Sequence, residues 1–178
     1  MTELSKQPSW TIVANDVERP ALVYTDGACE GKDNMTVTVG GVIVSAALRE
    51  VFGETVPVSV HKHWRLSGSK QVIGQAELYP IYLAILNWKD ALRHKKAIFF
   101  IDNEAAKGAL IRRYSPNPAS ARLVRAIHDL CAQHSIRAWF TRVPTCANPA
   151  DEPSRLQVKE AAKRWQASVK KVSCIPVP

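Results

Sequence analysis

Four acidic side chains stand where structural elements are expected to begin or end: Asp26 in "YTDGA", Glu77 in "GQAELYP", Asp102 in "FFIDNEAA" and Asp151 in "NPADEPSR". Asp102 follows Ile98, Phe99, Phe100 and Ile101, a short apolar run that reads as an interior strand passing into a helix. In an open α/β sheet the carboxyl end of a strand is where ligands bind, so a carboxylate there is a candidate catalytic or metal-binding group. For one aspartate alone, helix capping is the plainer reading. Asp151, with Pro153 just after it, admits the same reading, and Glu77 admits a role at the positive end of a helix. Taken together the acids are harder to dismiss. Like charges packed together repel and shift one another's pKa values unless cations neutralise them, and oxygen-rich acidic clusters suit Mg2+ or Mn2+.

The elements that would position these acids follow from hydrophobic pattern. Residues 1–19 have little periodicity and read as an N-terminal arm. "ALVYTDGA" is a strand running into Asp26-Gly27, a turn signal. "TVTVGGVIVSA" is a second strand, in which Gly40-Gly41 suggests a bulge or a close backbone approach, and "REVFGETVPVSV" is a third, completing an antiparallel meander. The period then changes: Ala76, Tyr79, Pro80, Leu83, Ile85, Leu86 and Trp88 describe a long buried helix from Gly74 to about Arg93, with a kink expected at Pro80. After the strand that ends at Ile101 come helices over about Glu104–Arg113 and "SARLVRAIHDLCAQH", a strand "IRAWFTRV", and one helix from Asn148 to about Val169. The strand after the long helix requires a crossover, so it should lie parallel to the first strand. Neighbouring strands are about 5 Å apart, which would let Asp26 and Asp102 share metal ions. The fold class is α/β, with a five-stranded mixed sheet flanked by helices, over residues 20–170; residues 171–178 form a tail.

Composition bounds the function. The 178 residues suffice for one domain, and 46% hydrophobic with 22% charged residues is ordinary globular usage. No apolar run is long enough for a membrane span, and the N-terminus lacks a secretory or transit pattern, so an intracellular protein is expected. Its four cysteines show no zinc spacing and read as free thiols. A net charge of +8 favours a polyanionic partner, nucleic acid first. Lys159, Lys163 and Lys170 are candidates for phosphate tracking, against an ordinary solvated face. His61 and His63 read as a surface loop rather than a zinc pair, with Trp64 as a loop anchor or a stacking group. Trp165, with Val158, Ala161, Ala162 and Val169, reads as a core-facing helix stripe, and Cys29 as a buried thiol near the acids.

The strings "YTDGA", "AEL", "FFIDNEAA" and "NPADEPSR", in this order and on this element pattern, resemble the ribonuclease H superfamily, and within it the domains attached to reverse transcriptases in retroelements. The resemblance covers about residues 20–168. It implies an endonuclease that hydrolyses the RNA strand of RNA/DNA hybrids with two Mg2+ ions, Mn2+ being a possible substitute. It implies that Asp26, Glu77, Asp102 and Asp151 are the metal ligands and that Arg155, one turn beyond Asp151, faces the phosphate. Gly27, Ala28, Gln75 and Asn103 become candidate substrate contacts, since the 2′-hydroxyl separates RNA from DNA at a site. A reverse transcriptase or another polyprotein domain is the implied protein partner. Two features depart from the family pattern: Gly74 stands where an Asn or Gln usually reads the ribose, and "RVPTCANPA" carries no histidine. A nuclease of related fold acting on DNA junctions or ends, and a non-catalytic nucleic-acid-binding module, are the competing readings.

Overall fold

The computed structural model describes residues 18–31, 35–65 and 72–177, so most of the stretch expected to be an N-terminal arm, and residues 66–71 before the long helix, lie outside it. Strands β1 (Ala21–Glu30), β2 (Thr36–Val44) and β3 (Arg49–Thr55) form the expected antiparallel meander. β4 (Lys96–Ile101) and β5 (Arg137–Arg142) add to the other side of β1, both parallel to it, and a two-residue β6 (Ser168–Val169) pairs with β3. The sheet therefore has six strands, in the order β5-β4-β1-β2-β3-β6, one more than the five expected. The helices are α1 (Val58–Arg65), α2 (Ile73–Leu92), α3 (Glu104–Arg112), α4 (Pro118–Gln133), α5 (Asp151–Ser154) and α6 (Val158–Trp165).

The core lies between one sheet face and α2, and contains Val23, Phe52, Phe99, Ile101, Leu78, Ile81, Leu83 and Ile85, all at most 1% exposed. Each such aliphatic or aromatic side chain contributes about 1.5–3 kcal/mol when withdrawn from water, so this helix-to-sheet contact holds the acids' elements in fixed relation. A smaller cluster of Val42, Val51 and Ala161 lies where α6 covers the opposite face.

Several local expectations are corrected. "VPVSV" does not extend the third strand: β3 stops at Thr55, and Pro57 opens α1, its carbonyl accepting from Val60 N. His61 and Trp64 are consequently buried in a helix rather than set in a surface loop, while His63 is exposed, so the two histidines face apart. Trp64 packs edge-on to Tyr79 at 5.4 Å, which makes it a core residue. The kink in α2 falls at Trp88 (φ −111°, ψ 17°), and the backbone stays helical through Pro80. The single C-terminal helix is instead α5, α6 and β6, because Leu156 (φ 62°) and Gln166 (φ 49°) enter the left-handed region and break it twice. That break leaves Trp165 37% and Val169 54% exposed, so only Ala161 of the expected stripe is fully buried.

The Asp26-Gly27 pair makes no turn, since β1 continues to Glu30. Gly27 serves a close approach: a Cβ added there would lie 2.0 Å from the Ala76 carbonyl oxygen of α2, the group that Pro80 leaves without its helical N–H partner. Gly27→Ala is thus expected to destabilise the fold by about 3 kcal/mol, from overpacking against rigid backbone, measurable as a lowered midpoint in urea unfolding.

Candidate metal centre

Asp26 sits on β1 one residue past Thr25, the last position paired with β4, and Asp102 follows the paired residue Ile101. Both aspartates therefore emerge at the same edge, where the two parallel strands part. Glu77 is the fifth residue of α2, past the first turn, and the glycine at position 27 lets its helix press against β1. One carboxylate oxygen from each of Asp26, Glu77 and Asp102 lies within 4.8 Å of the others, forming a group able to hold a metal ion. Asp26 is 7% and Glu77 6% exposed, and Asp102 is half-buried.

The electrostatics follow from this crowding. Burial, reinforced by Asp26 and Asp102, pushes the Glu77 carboxyl up to about 9, against the opposing pull of the Gly27 N–H. Burial also pushes Asp26 up to about 6; the Ser154 hydroxyl and the Gly27 N–H oppose the rise, while Asp102 and Asp151 add to it. Cys29 is a free thiol raised to about 11 by burial and by Glu77. Glu77 Oε2 and Asp102 Oδ1 are buried with no hydrogen-bond partner. Buried oxygens of this kind are costly unless something occupies them. Three converging carboxylates and two unpartnered oxygens fit a hard divalent cation such as Mg2+ or Mn2+.

Asp151 stands apart from the triad. It opens α5, and its carboxylate is gripped by Arg155, with Nε 3.2 Å from both oxygens and one terminal nitrogen 3.1 Å from Oδ1. It is close enough to add to the rise at Asp26. The expected substrate contacts are placed as follows. Asn103, rather than Asp102, caps α3, its Oδ1 accepting from Ala106 N at 2.9 Å. Gln75 is 2% exposed and donates from Nε2 to Asn117 Oδ1 at 2.8 Å. Gly27 is buried against α2, Ala28 is half-buried, and Arg155 is exposed.

Sequence reasoning passes over two residues of "NPADEPSR". Ser154, fully buried, donates its hydroxyl to Asp26 Oδ2. Asn148, 6% exposed, donates from Nδ2 to the Thr25 carbonyl at 3.1 Å and accepts from Ala150 N at 3.1 Å. The available signal was a cluster of small polar residues beside a candidate acid, a pattern that caps and turns share.

Among solved structures, the ribonuclease H1 of the halophilic archaeon Halobacterium salinarum NRC-1 is similar, with a TM-score of 0.58 and 19% identity over 82% of this chain and 99% of that one. LC11-RNase H1, isolated from compost and solved in complex with an RNA/DNA hybrid, is similar at a TM-score of 0.53 and 15% identity, over 79% of this chain and 98% of that one. The prototype foamy virus protease-reverse transcriptase matches 90% of this chain with 23% of its own length, at a TM-score of 0.51 and 11% identity. No family model matches the chain, and no curated protein matches it. The strand order, the helix placement and these likenesses together show that the chain has the ribonuclease H fold, the fold also found in reverse transcriptase structures.

Proposed function

We propose that the chain is a divalent-metal-dependent endonuclease that hydrolyses the RNA strand of RNA/DNA hybrids. The observation that carries this reading is the convergence of Asp26, Glu77 and Asp102, from three separate elements, to within 4.8 Å. Neighbours of the same fold that are named as ribonuclease H1, one of them solved with a hybrid, lend support. Asp26, Glu77 and Asp102 would hold the ions, Mg2+ or Mn2+, with Asp151 supplying a fourth carboxylate. Bound divalent ions supply an activated water and stabilise the leaving oxygen of a phosphodiester. Arg155, exposed beside Asp151, offers a guanidinium to a backbone phosphate. The net charge of +8 draws the polyanion toward the domain. Of the candidates for reading the RNA strand, Ala28 and Asn103 are half-buried, whereas Gly27 and Gln75 are buried in this fold.

The foamy virus likeness supports a reverse transcriptase or another polyprotein domain as partner, and with it a retroelement origin. This reading places the chain's work in the cytoplasm or nucleus; among the described residues no helix is long and apolar enough to cross a membrane.

The test incubates the purified chain with labelled RNA/DNA hybrid, duplex RNA, duplex DNA and a four-way junction in Mg2+ or Mn2+, beside Asp102→Asn. Cleavage of the hybrid alone, by the unmutated chain alone, is the expected result. Junction or end cutting would move the assignment to a DNA nuclease of related fold. Binding without cleavage would make the chain a nucleic-acid-binding module.

A further inference from the structure

We propose that Ser154 is a positioning residue that fixes the Asp26 carboxylate in the orientation needed for ion binding. This inference rests on the metal-dependent reading above and adds to it a residue that touches neither ion nor substrate.

The placement of Ser154 is over-determined by packing. α5 is a single turn, and it is pressed onto β2 and β3 where two glycines leave room. A Cβ added at Gly40 would lie 2.3 Å from Ser154 N, and one at Gly53 would lie 2.2 Å from the Pro153 carbonyl oxygen. Gly40 is the residue directly opposite Asp26 across the β1–β2 ladder. The two glycines thus bring the α5 backbone down beside Asp26, and Ser154 is the residue that faces it. The other end of the segment is fastened by Asn148, whose side chain bonds the carbonyl of Thr25, the residue before Asp26. Both anchors reach β1 at adjacent positions.

The chemistry gives this placement a purpose. An aspartate carboxylate rotates about its terminal bond within a broad well, and repulsion from the neighbouring Asp102 would turn it away from the cluster. A buried hydroxyl donating to Oδ2 removes that freedom. Ser154 Oγ has a second acceptor within reach, the Asp151 carbonyl at 2.8 Å, so the hydroxyl itself is held on a short arc between the two. Polar groups that orient metal ligands typically change metal affinity by about 10–100-fold when removed.

The test measures Mn2+ binding by electron paramagnetic resonance, without nucleic acid, for the unmutated chain, Ser154→Ala and Ser154→Cys. Cysteine keeps the packing volume but donates weakly. Each variant is also melted in EDTA. The expected result is Mn2+ affinity weakened about tenfold or more in both variants, with EDTA melting temperatures within about 10 °C of the unmutated chain, the scale of one lost charge-assisted hydrogen bond. Unchanged affinity in both variants would overturn the proposal. So would an affinity loss that appears only in a variant whose EDTA melting temperature falls further than that, since the fold would then be loosened as a whole. An unmutated chain that takes up no Mn2+ would overturn the metal-dependent reading itself, and this inference with it.

Discussion

Glu77→Gln is expected to lower hybrid cleavage by at least about a thousandfold, the equivalent of several kcal/mol of metal-supplied transition-state stabilisation, while making the metal-free protein more stable. The two effects have one cause. Glu77 is 6% exposed and crowded by Asp26 and Asp102, so burial and like charge raise its folded pKa to about 9. A folded pKa above the unfolded value means that the stabilisation is complete below pH of about 4.5 and is lost as pH rises toward 9. Glutamine carries no proton to lose, and it keeps an oxygen to accept the Gly27 N–H. At pH 7 and above, in EDTA, Glu77→Gln should therefore melt higher than the unmutated chain, although it no longer cleaves. Differential scanning fluorimetry beside the cleavage assay reads both quantities. A variant that melts lower in EDTA at pH 8 would show that Glu77 is a structural group satisfied in the metal-free fold.

The second large effect is on ion binding itself. A divalent cation binds carboxylates, so each ion must displace whatever proton the site holds. With Glu77 titrating near 9 and Asp26 near 6, at least one proton occupies the site between those pH values. Apparent Mn2+ affinity should then climb about tenfold per pH unit, or roughly a hundredfold from pH 6 to pH 8. The metal-free fold should lose stability over the same range, because Glu77, with a folded pKa of about 9, keeps its proton there while the unfolded chain does not; Asp26's share is lost lower, as pH rises to about 6. Added ion should reverse the loss, raising the melting temperature by about 5–10 °C at a hundredfold excess over its dissociation constant. Isothermal titration in buffers of different ionisation enthalpy counts the protons released. Affinity that does not vary with pH would mean that the ion, if bound, is held elsewhere.

Much of this centre was legible because its parts obey local rules. Ile98–Ile101 is a short apolar run followed by a helix-forming segment and so reads as an interior strand, and a carboxylate directly after it falls at the edge where ligands bind in open α/β sheets. The choice between cap and ligand for Asp102 could not be made from one residue. In the structure the capping role falls to Asn103, whose Oδ1 accepts from Ala106 N. Gly27 was misread for a good local reason: Asp-Gly is a turn signal, and the helix that demands a missing Cβ there arrives from residues fifty positions later. The breaks at Leu156 and Gln166 were invisible for the opposite reason. Neither residue is a glycine, yet both adopt positive φ. "VPVSV" carries strand-forming valines, and Pro57 ended that pattern in favour of a helix. Ser154 and Asn148 acquire meaning only when α5 is seated on Gly40 and Gly53, a contact that no local window contains.

A crystal grown in Mn2+ and measured at the manganese edge tests the central claim most directly. The expected anomalous map has two peaks about 4 Å apart, ligated by oxygens of Asp26, Glu77 and Asp102. A map with no peak at those oxygens, or one in which the three carboxylates point away from one another, would contradict it.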